Sequence, residues 1–189
     1  MKKVLRHDNQ NWDHDYTNGR WDFLEEEARE LARHALIANY CKCYAPGGWI
    51  LDVGCGTGIL CDFLDRKQRK NYVGIDISTV AISRAKQKFN LNFTCSDAMY
   101  FDPARKFDVI IFNEILYYTD FESVLNKYID VINPNGIFIF SIYRKGNQFD
   151  VIWKAIARIF HVIEVVEITV GNNTGTVTWN IEVATRREI

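Results

Sequence analysis

The sequence predicts an α/β protein: a doubly wound, mostly parallel sheet with helices on both faces and an antiparallel hairpin at its C-terminal end. Three observations carry this expectation. From residue 45 onward, short β-branched apolar runs alternate with helical patterns, which is the rhythm of βαβ units. A glycine-rich loop, read as LDVGCGTG from Leu51 to Gly58, joins the first apolar run to the first helical pattern. Near the C-terminus two long β-rich runs flank Gly171-Asn172-Asn173-Thr174-Gly175, a cluster of turn formers suited to a hairpin at one sheet edge.

The elements follow in order. Trp21 to Tyr40 carries apolar residues at Phe23, Leu24, Ala28, Leu31, Ala35 and Leu36, a helical stripe with acids early and Arg33 and His34 later. The preceding segment, Asn11 to Arg20, is polar and aromatic without periodicity, which suggests a loop or short helix. Trp49 to Val53 reads as the first strand and Gly58 to Asp65 as the start of the first helix. Tyr72 to Asp76 is the second strand, followed by a helix from about Ser78 to Phe89 with Ser78 as its cap. Asn92 to Cys95 is a third strand. Phe107 to Asn113 (FDVIIFN) is apolar enough to be buried on both faces. Phe121 to Val131 reads as a helix stopped by Asn133-Pro134-Asn135-Gly136, and Ile137 to Tyr143 as the fifth strand. A helix from about Gln148 to Phe160 leads to the hairpin runs Val162 to Val170 and Thr176 to Thr185.

With 189 residues, one domain with one core is expected, residues 1–44 forming an N-terminal lid and helix and residues 45–189 the sheet. The chain is 48% hydrophobic and 25% charged, as in a water-soluble domain. No apolar run approaches the roughly 18 residues of a membrane span. Two N-terminal lysines without an apolar stretch behind them do not make a secretory signal, so no membrane association and a cytoplasmic location are expected. A formal net charge of −1 argues against a nucleic-acid partner, which requires a dense basic face. The run Arg66, Lys67, Arg69, Lys70 reads as a solubilising helix end. The five cysteines (Cys41, Cys43, Cys55, Cys61, Cys95) lack paired CxxC spacing and the histidines (His7, His14, His34, His161) are scattered. Free buried thiols and no metal are therefore expected.

The chemistry-bearing residues begin with the loop. A strand, a glycine turn and a helix N-terminus bring backbone N–H groups to one spot, an arrangement that holds the polar part of a nucleotide-like ligand. A Cβ at Gly54, Gly56 or Gly58 would obstruct the turn or the ligand. The pattern is G-x-G-x-G. The G-x-G-x-x-G of a dinucleotide site would need its last glycine at Ile59. Asp76 stands 22 residues beyond Gly54 in VGIDIS, where an acid can accept both ribose hydroxyl hydrogen bonds or cap the helix ahead of Ser78.

On these residues the chain resembles the class I, Rossmann-like S-adenosylmethionine-dependent methyltransferases of small-molecule type. The resemblance covers residues 45–143 motif by motif and extends to the hairpin, which supplies the family's antiparallel seventh strand. It implies S-adenosyl-L-methionine as cofactor, with Asp52 and the backbone of Gly54, Cys55, Gly56, Thr57 and Gly58 facing its methionine portion. It implies Asp76, with Ile77 beside it, at the ribose, and Asp97 and the Ala98 N–H at the adenine. Asn113 joins the cofactor-binding set. Beyond it, Glu114 replaces a proline of the family's base- and glutamine-methylating members, whose motif runs Asn/Asp-Pro-Pro-aromatic.

An in-line methyl displacement needs a nucleophile held about 3 to 3.5 Å from the methyl carbon, and an oxygen or amine nucleophile must also lose a proton. Glu114 is a candidate to take it or to orient the acceptor, and equally a candidate to cap the next helix or brace the loop. Tyr117, Tyr118 and Tyr143 at strand ends, with Trp12, Tyr16 and Trp21 from the N-terminal segment, are candidates for an aromatic wall that excludes water. Tyr16 and Tyr117 lead that group. His7 and His14 are possible bases on the same lid. The expected activity is methyl transfer to an oxygen or nitrogen of a small molecule such as a sugar or secondary metabolite, by a monomer or homodimer. Protein or peptide methylation, a catalytically silent cofactor-binding partner subunit and a dehydrogenase are the alternatives.

Overall fold

The computed structural model describes residues 9–144, 149–172 and 175–187. Seven strands, β1 (Ile50–Val53), β2 (Tyr72–Asp76), β3 (Asn92–Cys95), β4 (Phe107–Asn113), β5 (Ile132–Tyr143), β6 (Phe160–Asn172) and β7 (Gly175–Arg186), form one sheet in the order β3-β2-β1-β4-β5-β7-β6. The first five pair in parallel, and β7 runs antiparallel between β5 and β6. The apolar run of β4 explains its central place: Val109, Ile110, Ile111 and Phe112 are wholly buried, as a strand covered on both faces must be. Helix α3 (Ala28–Tyr44) covers one face, laying Ile37, Tyr40 and Cys41 against Ile111, Ile139 and Ile181, joined there by Ile82 and Ala85 of α5 (Thr79–Lys88). On the other face Leu125 and Tyr128 of α6 (Phe121–Ile129) and Ile152 and Ile156 of α7 (Asp150–Ile159) pack on Phe112, Phe138 and Phe140. Between β1 and β4 the strand order reverses, and ligands of open α/β sheets bind beyond the strand ends at such a switch point.

The segment expected as a loop or short helix contains a short helix, α1 (Asn9–Thr17). Several other boundaries differ from the expectations. The stripe from Trp21 is not one helix. It breaks at Glu27, whose extended backbone (φ −86, ψ 116) ends a short α2 (Phe23–Glu26) and starts α3. The first helix after the glycine loop is only a 3-10 turn, Ile59–Asp62. Asp65 then opens a new helix, α4 (Arg66–Lys70), its carboxylate accepting from the N–H groups of Lys67 and Gln68 while its own backbone N–H donates to Gln68 Oε1. This capping box outweighs continuation of the turn, so the basic run is a helix in its own right. Asn133 to Gly136 does not end a helix: α6 stops at Ile129 and the four residues belong to β5, where Asn133 Nδ2 donates to Asp108 Oδ1 at 2.8 Å across a register shift. The hairpin strands are longer than expected and pair to their tip, Asn172 opposite Gly175, with Asn173 and Thr174 outside the described residues. Lys145 to Gln148 and His7 also lie outside them. Cys41, Cys55 and Cys61 are free and buried as expected, whereas Cys43 and Cys95 are exposed. Among the described residues, no helix is long and apolar enough to cross a membrane.

Candidate active site

The glycine loop is fastened to β2. Gly54 N–H and Cys55 N–H both donate to the Ile75 carbonyl, at 2.8 and 2.9 Å, and Gly56 N–H donates to Asp76 Oδ2 at 2.9 Å. Asp76 Oδ1 takes the Ser78 N–H at 2.9 Å, so this carboxylate ties the loop to the start of α5. A Cβ on Gly54 would stand 2.5 Å from Ile115 Cδ1, and one on Gly56 would stand 2.8 Å from Tyr16 Oη. Both glycines also have positive φ, 76° and 54°, where other residues are strained.

These residues wall a single cavity of about 570 Å³ at the carboxyl edge of β1, β2 and β4, within the size range of small-molecule sites. It brings together Asp52, Gly54, Cys55, Gly56, Thr57, Asp76, Ile77, Asp97, Ala98, Asn113, Glu114, Tyr117 and Tyr16. Trp12, Trp21, Tyr118 and Tyr143 line it too. Two candidates lie elsewhere. Gly58 faces Phe93, whose Cζ would be 3.0 Å from an added Cβ, and its φ of 80° shows that it serves the turn. His14 is a correction: its side chain is 76% exposed beside Asp15, because α1 turns its Tyr16 and Trp12 face inward and leaves His14 in solvent, away from the cavity.

The charged groups inside are unusual for their burial. Asp52, its Oδ2 accepting from Tyr72 Oη at 2.8 Å, is pushed up to about 7 by burial, against the pull of that hydrogen bond. Burial also raises Asp76 against its backbone hydrogen bonds. Glu114 has φ 61°, a left-handed backbone rare outside glycine. Its Oε2 accepts from Tyr117 Oη at 2.8 Å while its Oε1 is buried and has no hydrogen-bond partner among the described residues. Burial lifts this carboxyl to about 7, opposed by Arg33 and Tyr117. Tyr16 and Tyr117 are driven far up by burial, so both hydroxyls stay protonated and act as donors or walls rather than bases.

The residues that sequence reasoning missed come from α3. Arg33, 3% exposed, donates from Nη1 to Glu30 Oε2 at 2.5 Å and from Nε to Asn113 Oδ1 at 3.2 Å, with its guanidinium 5.0 Å from the Trp179 ring centre. His34 is held neutral, at about 3, by burial and Arg33. Its Nδ1 lies 3.1 Å from the Glu30 carbonyl and its Nε2 3.1 Å from Asn113 Nδ2. Both ends of the Asn113 amide are therefore used to brace the wall. The signal was present: Glu30, Arg33, His34, Ile37 and Cys41 follow the spacing of one helical face, a charged start to a buried stripe.

The chain matches the methyltransferase domain family over residues 45–179. It is 32% identical over 107 residues to malonyl-[acyl-carrier protein] O-methyltransferase 2 of Ilyobacter polytropus, covering 53% of this chain and 41% of that one. It is 28% identical over 145 residues to a ubiquinone biosynthesis O-methyltransferase of Rhodopseudomonas palustris, covering 73% and 53% respectively. The chain thus spans about half the length of the curated relatives it matches. In structure it is similar to the N-methyltransferase NodS of Bradyrhizobium japonicum WM9 in complex with S-adenosyl-L-homocysteine, with a TM-score of 0.80 at 18% identity, over 96% of this chain and 100% of that one. Magnesium protoporphyrin IX methyltransferase of Synechocystis PCC 6803, with bound S-adenosylmethionine, superposes with a TM-score of 0.74 at 14% identity, covering 94% and 95%. With the glycine loop, the strand-end acids and the reversed strand order all in one matched span, the chain belongs to the methyltransferase domain family, in its Rossmann-like, S-adenosylmethionine-dependent class.

Proposed function

We propose that this protein transfers the methyl group of S-adenosyl-L-methionine to an oxygen or nitrogen of a small molecule. One observation carries the reading: the cavity joins a nucleoside-holding half, built on the Gly54–Thr57 loop and Asp76, to an aromatic half that contains the unpartnered Glu114 carboxyl oxygen. The residues fit the cofactor. The glycine turn leaves a cradle that a Cβ would fill, and the Asp76 carboxylate, with about four lone-pair sites, keeps acceptor capacity for a ribose hydroxyl beyond its bonds from the Gly56, Ile77 and Ser78 N–H groups. The Ala98 N–H stands at the mouth of a turn pinned by Asp97, whose Oδ1 accepts from Met99 N–H at 2.6 Å. Arg33 is the only arginine or lysine among the described lining residues.

Bound there, the cofactor supplies an electrophilic methyl group on a sulfonium. The chain's part is to position and to desolvate. Tyr16 Oη, over Gly56, closes the loop from above, and the Trp12 and Trp21 rings, tilted at 30° with centroids 5.8 Å apart, line the cavity with it to exclude water. On this reading Glu114, on the cavity wall, takes the proton that an incoming nucleophile sheds, and a carboxyl near 7 is matched to that task. The names of the curated relatives, both O-methyltransferases, and that of NodS, an N-methyltransferase, support an oxygen or nitrogen acceptor, and the cavity of about 570 Å³ supports a small one.

The test is titration calorimetry with S-adenosylhomocysteine followed by assay of its production from S-adenosylmethionine across pools of small hydroxyl and amine compounds. One-to-one binding, weakened at least tenfold in Asp76→Ala, and product from some pool are expected. Binding without product across broad pools would favour a silent partner subunit, and binding of NADH in place of S-adenosylhomocysteine would overturn the reading.

A further inference from the structure

The acceptor half of the cavity holds a buried carboxyl that has no ion-pair partner among the described residues. Glu114 is enclosed, its Oε1 has no partner, and no lysine, arginine or histidine among the described residues lies within salt-bridge distance of it. Arg33 faces it from α3 but is committed to Glu30 and Asn113. His34 is neutral, Glu30 of α3 adds a like charge that raises the Glu114 carboxyl further, and Tyr117, Tyr118 and the Tyr143 backbone N–H also face it. A strained left-handed backbone at the same residue holds the carboxyl in place, the kind of cost that folded proteins keep at functional sites. Around it stand aromatic rings: Tyr117 and Tyr118 meet at 4.4 Å, and Trp12 meets Tyr118 edge-on at 4.9 Å.

We propose that the methyl acceptor is an amine, which enters as an ammonium ion with an N–H directed at Glu114 Oε1 and its charge against the Tyr117, Tyr118 and Trp12 rings. This rests on the methyltransferase reading and narrows it. An alcohol would give the carboxylate one neutral hydrogen bond and leave its charge uncompensated. An ammonium supplies both the hydrogen bond and the counter-charge, and aromatic faces attract it further. The step balances. The ammonium passes one proton to Glu114, and the freed nitrogen lone pair forms the N–C bond to the methyl group. The C–S electron pair departs to sulfur, leaving a neutral thioether, the nitrogen carries the positive charge, and Glu114 returns its proton to water.

The test uses the full chain saturated with S-adenosylhomocysteine, whose uncharged sulfur removes the sulfonium from the comparison. Tryptamine and phenethylamine are titrated against their neutral isosteres tryptophol and phenethyl alcohol. The amines should bind at least tenfold tighter, and Glu114→Gln should erase that preference. In the unaltered protein, amine affinity should rise about tenfold from pH 6 to pH 8 as Glu114 ionises, with proton release visible as a dependence of the heat on buffer. Equal binding of amines and alcohols, or no binding of either amine, with S-adenosylhomocysteine still bound, overturns the amine assignment alone. Loss of S-adenosylhomocysteine binding itself would instead sink the methyltransferase reading beneath it.

Discussion

Lys127 is the residue whose role is least visible in sequence and plainest in the structure. Its ammonium donates to the carbonyls of Ala98, Met99 and Phe101 at 3.1, 2.8 and 2.5 Å, which uses all three of its N–H bonds. Tyr128 Oη adds a 3.0 Å bond to Ala98. Together they shape the Asp97 to Phe101 turn that would face the adenine. Lys127→Met keeps the length of the side chain and removes the three bonds, so S-adenosylhomocysteine should bind about tenfold more weakly, about 1.4 kcal/mol, by calorimetry. Lys127→Arg should recover part of that loss, and unchanged affinity in Lys127→Met would show that the turn holds itself. A second residue test concerns Gly56 and Tyr16. Gly56→Ala drives a methyl toward Tyr16 Oη, 2.8 Å away, while the next ring atom is at 3.9 Å. Adding Tyr16→Phe should therefore restore part of the lost cofactor affinity, but not the part due to the positive φ. Of these residues, Asp76 and Asp97 were legible because a strand end at a fixed distance from the glycine loop places them. Glu114 was legible too, as the acid just past the end of the fourth strand, whereas Lys127 was not, because its partners are carbonyls of Ala98, Met99 and Phe101, remote in sequence.

Among the elements, α1 is bound to the sheet domain by a device that periodicity cannot reveal. Asp13 accepts from Ser78 Oγ at 2.6 Å, Thr79 Oγ1 at 2.7 Å and Val80 N–H at 3.2 Å, and so sits as an anion on the N-terminus of α5. Burial raises its carboxyl, but the hydrogen bonds from Ser78 and Thr79 outweigh this and hold it below the ordinary range. Arg84 completes the attachment, donating to the Tyr16 carbonyl at 2.7 Å and pairing with Asp22 at 3.0 Å. Asp13→Ala should free α1 and with it the Trp12 contact to Tyr118, speeding S-adenosylhomocysteine dissociation about tenfold in stopped-flow tryptophan fluorescence. Deletion of residues 1–20 should abolish turnover while the sheet remains folded by circular dichroism. Full activity in either variant would remove α1 from the role of lid. The strands were legible within a few residues because β-branched runs between turn formers leave little choice. The break at Glu27 was not, since nothing local forbids a continuous helix there. That break decides that Arg33 and His34 occupy the second turn of α3, inside the wall, rather than a solvated helix end.

At the scale of the molecule, buried carboxyls in the site and on β7 weaken the fold that carries them, and pH exposes this. Burial raises Asp52, Glu114 and Glu182 to about 7. Between their ordinary carboxyl range and 7 the folded chain therefore holds more protons than the unfolded chain, and stability must fall as pH rises through that window. His34 works the other way. Lowered to about 3, it binds its proton only on unfolding, so its contribution grows as pH rises from 3 to its ordinary 6.5 and is constant above that. The carboxyls outnumber it, and above pH 6.5 His34 no longer changes the balance. For Glu114 the rise from 4.5 to about 7 corresponds to about 3 kcal/mol when fully ionised. Urea unfolding should accordingly show a midpoint that declines from pH 6 to pH 8. Glu114→Gln should be more stable than the unaltered protein at pH 8 and gain little at pH 5, the difference levelling above pH 8. Because the variant and the parent share His34, Asp52 and Glu182, their difference isolates one carboxyl. A difference that does not change between pH 5 and pH 8 would mean that Glu114 ionises where it stands without cost, which its enclosure and unpartnered Oε1 do not allow.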